Sequence, residues 1–135
     1  MRIMSSLLRT AGIGLILAPS GVFAHHSFAA EFDPELPVEV SGTVTRVEWT
    51  NPHARFYVEV EDENGEVVDW DFELGSPNTL FRRGWKRDTL KPGDVITVSA
   101  FRARNAVHVA NTRRVTLSDG RQVFSSGVGA AAAPE

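Results

Sequence analysis

The sequence has no cysteine. That excludes disulfides, thiolate metal sites, cysteine-ligated iron–sulfur clusters and a cysteine nucleophile. It also lacks a basic excess. The 14 Lys and Arg against 17 Asp and Glu give a charge of −3, the opposite of the basic footprint of a nucleic-acid binder, and no nucleic-acid partner is expected. Histidine is scarce, at four residues, and none belongs to an HExxH helix. No Gly-x-Ser-x-Gly elbow offers a serine nucleophile. No catalytic residue is therefore assigned, and the expectation is a non-enzyme. No apolar run reaches the ~20 residues that span a bilayer.

What is present begins with an N-terminal address. Arg2 and Arg9 are the only charges before Glu31, and they precede the apolar run 11–18. Pro19 and Gly21 break that run, and Val22-Phe23-Ala24 supplies small residues at the −3 and −1 positions of a signal-peptidase site. Residues 1–24 read as a signal peptide cleaved between Ala24 and His25, so the mature protein is expected in the periplasm or secreted, with no stable membrane span. Loss of Arg2 and Arg9 takes the charge from −3 to −5.

Residues 25–37 hold Pro34 and Pro37 and little periodicity; they read as an extended lead-in. From Val38 the alternation of period two sets in. Val38, Val40, Gly42 and Val44 share one parity, and Val47 and Trp49 take the other. A switch of phase within one strand predicts a β-bulge near Thr45-Arg46. "RFYVEVED" and "VVDWDFEL" alternate again around Asn64-Gly65, a hairpin dipeptide. In the third strand Val68, Trp70, Phe72 and Leu74 face in, which leaves Asp69, Asp71 and Glu73 on a solvated face. "SPNTLFRRG" then reads as a helix of two turns, with Ser76 as N-cap, Pro77 at the first position and Gly84 after its end. "KPGD" is a turn, "VITVSAF" and "AVHVANTRRVTL" are strands four and five, and "SDGRQVF" is a small terminal turn and strand. The order β-β-β-α-β-β, all-β with one short helix, matches a five-stranded OB-like Greek-key barrel over residues 38–124. Residues 125–135 read as a disordered tail.

Four histidines are the candidate metal ligands: His25, His26, His53 and His108. Cleavage before His25 would give it a free amine beside its imidazole. Two such nitrogens and a third from His53 or His108 suit tetragonal copper, the candidate cofactor. In an OB fold His53 falls in the loop between strands 1 and 2, and His108 after the loop between strands 4 and 5. These loops flank the ligand face, where Asn51, His53, Arg102, Arg104 and His108 are the candidate residues for an unknown small ligand or envelope partner. A binding module comes first, a copper-binding protein second, and a structural envelope protein third.

The stretches "HHSFAAEFD", "GTVTRVEWTNPHARFYVEV", "ELGSPNTLFRRGW", "LKPGDVITV" and "NTRRVTLSDGR", in this order, resemble a family of small exported bacterial proteins known only as a domain of unknown function. The resemblance implies an envelope location and a compact β-rich domain, and it implies no activity.

Overall fold

A computed structural model describes residues 28–125. The chain is mostly β: an antiparallel sheet with only short helices. Its elements are α1 (Phe28–Glu31), β1 (Phe32–Glu48), β2 (Arg55–Glu61), β3 (Val67–Glu73), α2 (Pro77–Arg82), β4 (Val95–Ala103), β5 (Val109–Thr116) and β6 (Gln122–Phe124).

The strands are hydrogen-bonded in the order β3-β2-β1-β4-β5-β6, and β3 also pairs β5 in parallel. One edge of β5 is divided. Residues 109–111 meet β3 and residues 114–116 meet β6, while β4 lies along the other edge. The pairings thus run in a circuit from β1 through β2, β3, β5 and β4 back to β1.

β1 is long because it serves two partners. Pro37–Thr43 pairs with β4 and Thr43–Glu48 with β2. The ladder with β2 steps from Val44↔Val58 to Arg46↔Tyr57, which places the extra residue of the bulge at Thr45, where the phase switch predicts it. The bulge lets Val40 and Val44 on one side of it, and Val47 and Trp49 on the other, all pack on the same core. Gly42 sits where the three strands converge. A Cβ there would lie 2.2 Å from the Glu59 carbonyl oxygen and 2.8 Å from Val58 Cγ1.

Two local devices set α2. The Ser76 hydroxyl accepts from the Thr79 N–H. At the other end the Gly84 N–H donates to Phe81 and the Trp85 N–H to Leu80, the paired bonds of a Schellman ending, which needs the positive φ of 92° that Gly84 adopts. Trp85 and Leu80 are both buried beneath it. The core gathers Val44, Phe56, Val58, Phe72, Leu74, Leu90, Ile96, Val98 and Val115. Phe72 is its hub, stacked on Phe56 at 5.2 Å and on Trp70 at 5.6 Å between ring centroids.

Several expectations change. A second short helix, α1, precedes the sheet, and the small terminal strand expected after the fifth is β6. The lead-in is partly sheet: Phe32 and Pro37 pair with Ala103 and Phe101. Prolines hide this in the sequence, but Pro34 falls in the gap of that register, where no ladder bond is lost. Ser125 belongs to the fold rather than to a tail, since it is buried and its N–H donates to the Arg113 carbonyl. The expected signal peptide and cleavage site, with His25, His26 and residues 126–135, lie outside the described residues. Among the described residues no helix is long and apolar enough to cross a membrane.

Candidate functional site

The polar face of the β2–β3 hairpin is built by alternation. Phe56 and Val58 point to the core, so Arg55, Tyr57 and Glu59 stand on the other face; Asp69, Asp71 and Glu73 oppose them from β3. The register sets Arg55 against Glu73, Tyr57 against Asp71 and Glu59 against Asp69. Glu59 and Asp69 are like charges directly opposed, an arrangement that costs stability. Between Phe56 and Phe81 the chain carries carboxylates and no Lys or Arg.

At the β5 end of this face four polar side chains meet Glu73 or its partner. The Arg55 guanidinium donates through Nη1 to both Asp71 oxygens at 2.8 Å, and through Nη2 to Glu73 Oε2 at 3.0 Å. Asn111 Nδ2 donates to Glu73 Oε1 at 3.2 Å, because the parallel β3–β5 pairing sets Asn111 beside Glu73. His53 Nδ1 lies 3.4 Å from the same Oε1. The β1–β2 loop holds His53 there: the Ala54 N–H donates to the Gly75 carbonyl, the Leu74 N–H to the Ala54 carbonyl, and Thr50 Oγ1 to the His53 carbonyl.

Glu73 corrects the expectation of a solvated acidic face. Its side chain is 7% exposed, whereas that of His53 is 43% exposed. Strand parity places Glu73 on the polar face but says nothing of what covers that face. Burial is the main influence on its carboxyl and pushes its pKa up from the ordinary 4.5; the charges of His53 and Arg55 pull the other way, Glu31 adds to the rise, and the Asn111 hydrogen bond opposes it. Arg55 is the converse case. Burial disfavours its charge, but the hydrogen bond and charge of Asp71, with the charge of Glu73, outweigh it and hold the guanidinium above its ordinary pKa.

A carboxyl with a raised folded-state pKa binds its proton more tightly folded than unfolded. Ionised Glu73 therefore costs stability at neutral pH. That cost is relieved as pH falls through the raised value and is gone below the unfolded value, near 4.5. Urea unfolding at a series of pH values should show the wild type gaining on Glu73→Gln as pH falls from 7 toward 4.5. A difference between the two proteins that stays constant over this window would refute the raised pKa.

The remaining candidates are placed as follows. His108 is exposed in the turn before β5 rather than at the start of the strand. Its ring lies 5.2 Å from Trp70, and its carbonyl accepts from the Asp71 N–H. His53 and His108 thus both neighbour β3, but at Glu73 and Trp70, whose side chains stand on opposite faces. Among the described residues no three His, Asp or Glu side chains are grouped to hold a metal ion. Asn51 is exposed beside a cis bond to Pro52. Arg104 ties the N-terminal segment down, donating to the Ala29 carbonyl at 2.9 Å and to Asp33 at 2.6 Å. The Arg102 Nε is buried with no hydrogen-bond partner.

Comparison of families decides the kinship. The model of a family of unknown function, DUF6152, matches residues 14–111. The chain belongs to this family. The match takes in β1 to β4 and the start of β5, and with them every member of the Glu73 cluster: His53, Arg55, Asp71, Glu73 and Asn111. No curated protein matches the chain. Sequence reasoning found His53 in this family member and missed Arg55, Asp71, Glu73 and Asn111. The available signal was an arginine alone on a strand face opposite a run of carboxylates.

Proposed function

We propose that the chain is an exported, non-enzymatic binding module that takes a small cationic ligand, an amine or guanidinium, on the face around Glu73. The carrying observation is Glu73 itself: a nearly buried carboxylate beside the half-exposed His53, on a face where Glu59, Asp69, Asp71 and Glu73 outnumber Arg55. A face dominated by one sign of charge concentrates ligands of the other. The bonds from Arg55 and Asn111 keep Glu73 as an acceptor, which suits binding rather than proton transfer.

The architecture in this reading is an OB-like Greek-key barrel. The circuit β1-β2-β3-β5-β4, the bent β1 and the position of α2 between β3 and β4 support it. His53 then belongs to one loop flanking the usual ligand face and His108 to the other. Export rests on residues 1–24, whose charged start, apolar core and Val22-Phe23-Ala24 have the form of a signal peptide. The mature protein is periplasmic or secreted and begins at His25.

Amide chemical shifts test the ligand. Titration with putrescine and with arginine methyl ester should move the amides of His53, Asp71, Glu73 and Asn111 saturably, and Glu73→Gln should weaken that response. Glucuronate, an anionic probe, should leave them in place. The reading fails if glucuronate moves this set and the two cations do not.

One observation favours a second reading. A histidine with Nδ1 toward a carboxylate has its Nε2 available, the usual support of a metal-ligating imidazole. With the free amine of a mature His25 it would bind copper, His26 being a further donor. Mass spectrometry of exported protein should give His25 as the first residue, and Cu(II) titration should show nitrogen hyperfine coupling that His53→Ala diminishes.

A further inference from the structure

The sharpest charge contrast in the chain lies at the end of α2. The segment 56–81 has no Lys or Arg, and Arg82, Arg83, Lys86 and Arg87 follow within six residues. All four are exposed. Among the described residues, no carboxylate forms a salt bridge with any of them, although the chain as a whole is acidic.

These cations surround an apolar surface element. Phe81, on α2, is 38% exposed. Trp49, at the end of β1, stacks on it at 5.1 Å with the planes 18° apart, and the Arg87 guanidinium sits over the Phe81 ring at 5.9 Å. Trp49 in turn meets the buried Trp85 edge-on at 6.5 Å. The exposed ring is therefore backed by a stack that reaches the core, and it is held in place rather than free to fold back. The Schellman ending of α2 fixes where Arg83 and the following residues leave the helix.

We infer that this corner, Phe81 with Trp49 behind it and Arg82, Arg83, Lys86 and Arg87 around it, docks on a bilayer carrying anionic phospholipid. The charges give the sign of the partner. The aromatic stack distinguishes a membrane from a nucleic acid. A base needs a ring face to stack on; Trp49 already takes one face of Phe81, and the Arg87 guanidinium stands near the ring, 5.9 Å from its centre. The outward part of the ring can still enter the headgroup region, as apolar residues of interfacial helices do, while the arginine and lysine stems lie along it with their charges among the phosphates. Each basic side chain near an anionic surface strengthens binding by about fivefold, so four together give a preference of about a hundredfold or more for an anionic over a neutral surface.

Sedimentation with vesicles tests this on the full chain. One set is phosphatidylcholine alone, and the other is equal parts phosphatidylcholine and phosphatidylglycerol. Arg2 and Arg9 beside the apolar run 11–18 themselves favour the anionic set, so the readout is the ratio of affinities for the two sets, compared between the wild type and the charge-reversal variant. That ratio should be at least about a hundredfold at low salt and should fall toward one near 1 M salt. Lys86→Glu with Arg87→Glu, which lie outside α2, should abolish most of it, and Phe81→Ser should weaken binding to anionic vesicles. A ratio of one for the wild type overturns the proposal. So does a ratio that the double reversal leaves unchanged in a protein whose circular dichroism is native, or capture of a single-stranded oligonucleotide without capture of anionic vesicles.

Discussion

Gly42→Ala should destabilise the protein by at least ~3 kcal/mol, at the upper end of what overpacking usually costs. The added Cβ would stand 2.2 Å from the Glu59 carbonyl oxygen. That obstacle is backbone, so no rotamer change relieves it. Relief requires β1 to move off β2, and β1 is also paired at that point with β4 through Gly42↔Ile96 and Thr43↔Val95. Against a total stability of ~5–15 kcal/mol, such a loss would leave much of the protein unfolded or insoluble. Gly84→Ala supplies the contrast. Its Cβ would meet nothing within 4 Å, so the loss is only the ~1–2 kcal/mol cost of a positive φ. Urea midpoints of the three proteins measure both effects. Equal midpoints for Gly42→Ala and wild type would show that β1 does not cross β2 as closely as described.

Phe72→Ala should cost ~3–5 kcal/mol, the usual loss for removing a buried aromatic ring. Phe72 is fully buried and stacks on both Phe56 and Trp70. It also sits where three strands are paired, opposite Phe56 in β2 and Ala110 in β5. Its two neighbours in sequence are Asp71 and Glu73, so the same variant should loosen the polar cluster on the other face. Calorimetric melting measures the first effect, and the loss of putrescine-induced shifts at His53 measures the second. Phe72→Leu keeps most of the apolar volume and should lose less than half as much. A Phe72→Ala protein that melts with the wild type would remove Phe72 from its place as hub.

The two effects share a cause. Both positions lie where strands distant in sequence converge, and the Glu73 cluster depends on the same convergence. Neutralising Glu73 should alter pH dependence and ligand response with little change in the sheet. Damage at Gly42 or Phe72 should reach the sheet first and the cluster through it. This ordering separates residues that make the face from residues that hold it up.

Much of the fold was legible in local signals, because their causes are local. Alternation places Phe56, Val58, Phe72 and Leu74 in the core, since successive strand residues point to opposite faces. The change of parity between Val44 and Val47 marks the bulge that the β1–β2 ladder contains. Ser76, Pro77 and Gly84 bound α2 through hydrogen bonds spanning only a few residues. The family kinship is carried by stretches of this same sequence.

What alternation does not contain is the identity of a neighbour far along the chain. It puts Glu73 on a polar face, but only the pairing of β3 with β5 brings Asn111 against it, and only the return of the β1–β2 loop brings His53. Arg104 looked available for a ligand until α1 and the start of β1 came to lie beside it. The basic run after Phe81 was plain in the sequence, whereas the stacking of Trp49 on Phe81 joins residues from different elements. The sequence by itself determined strand, turn and helix, because those follow from side-chain period and short-range hydrogen bonds. The tertiary structure alone decided which carboxylate is buried and which arginine is engaged, because burial and pairing are set by segments that meet only when the chain closes on itself.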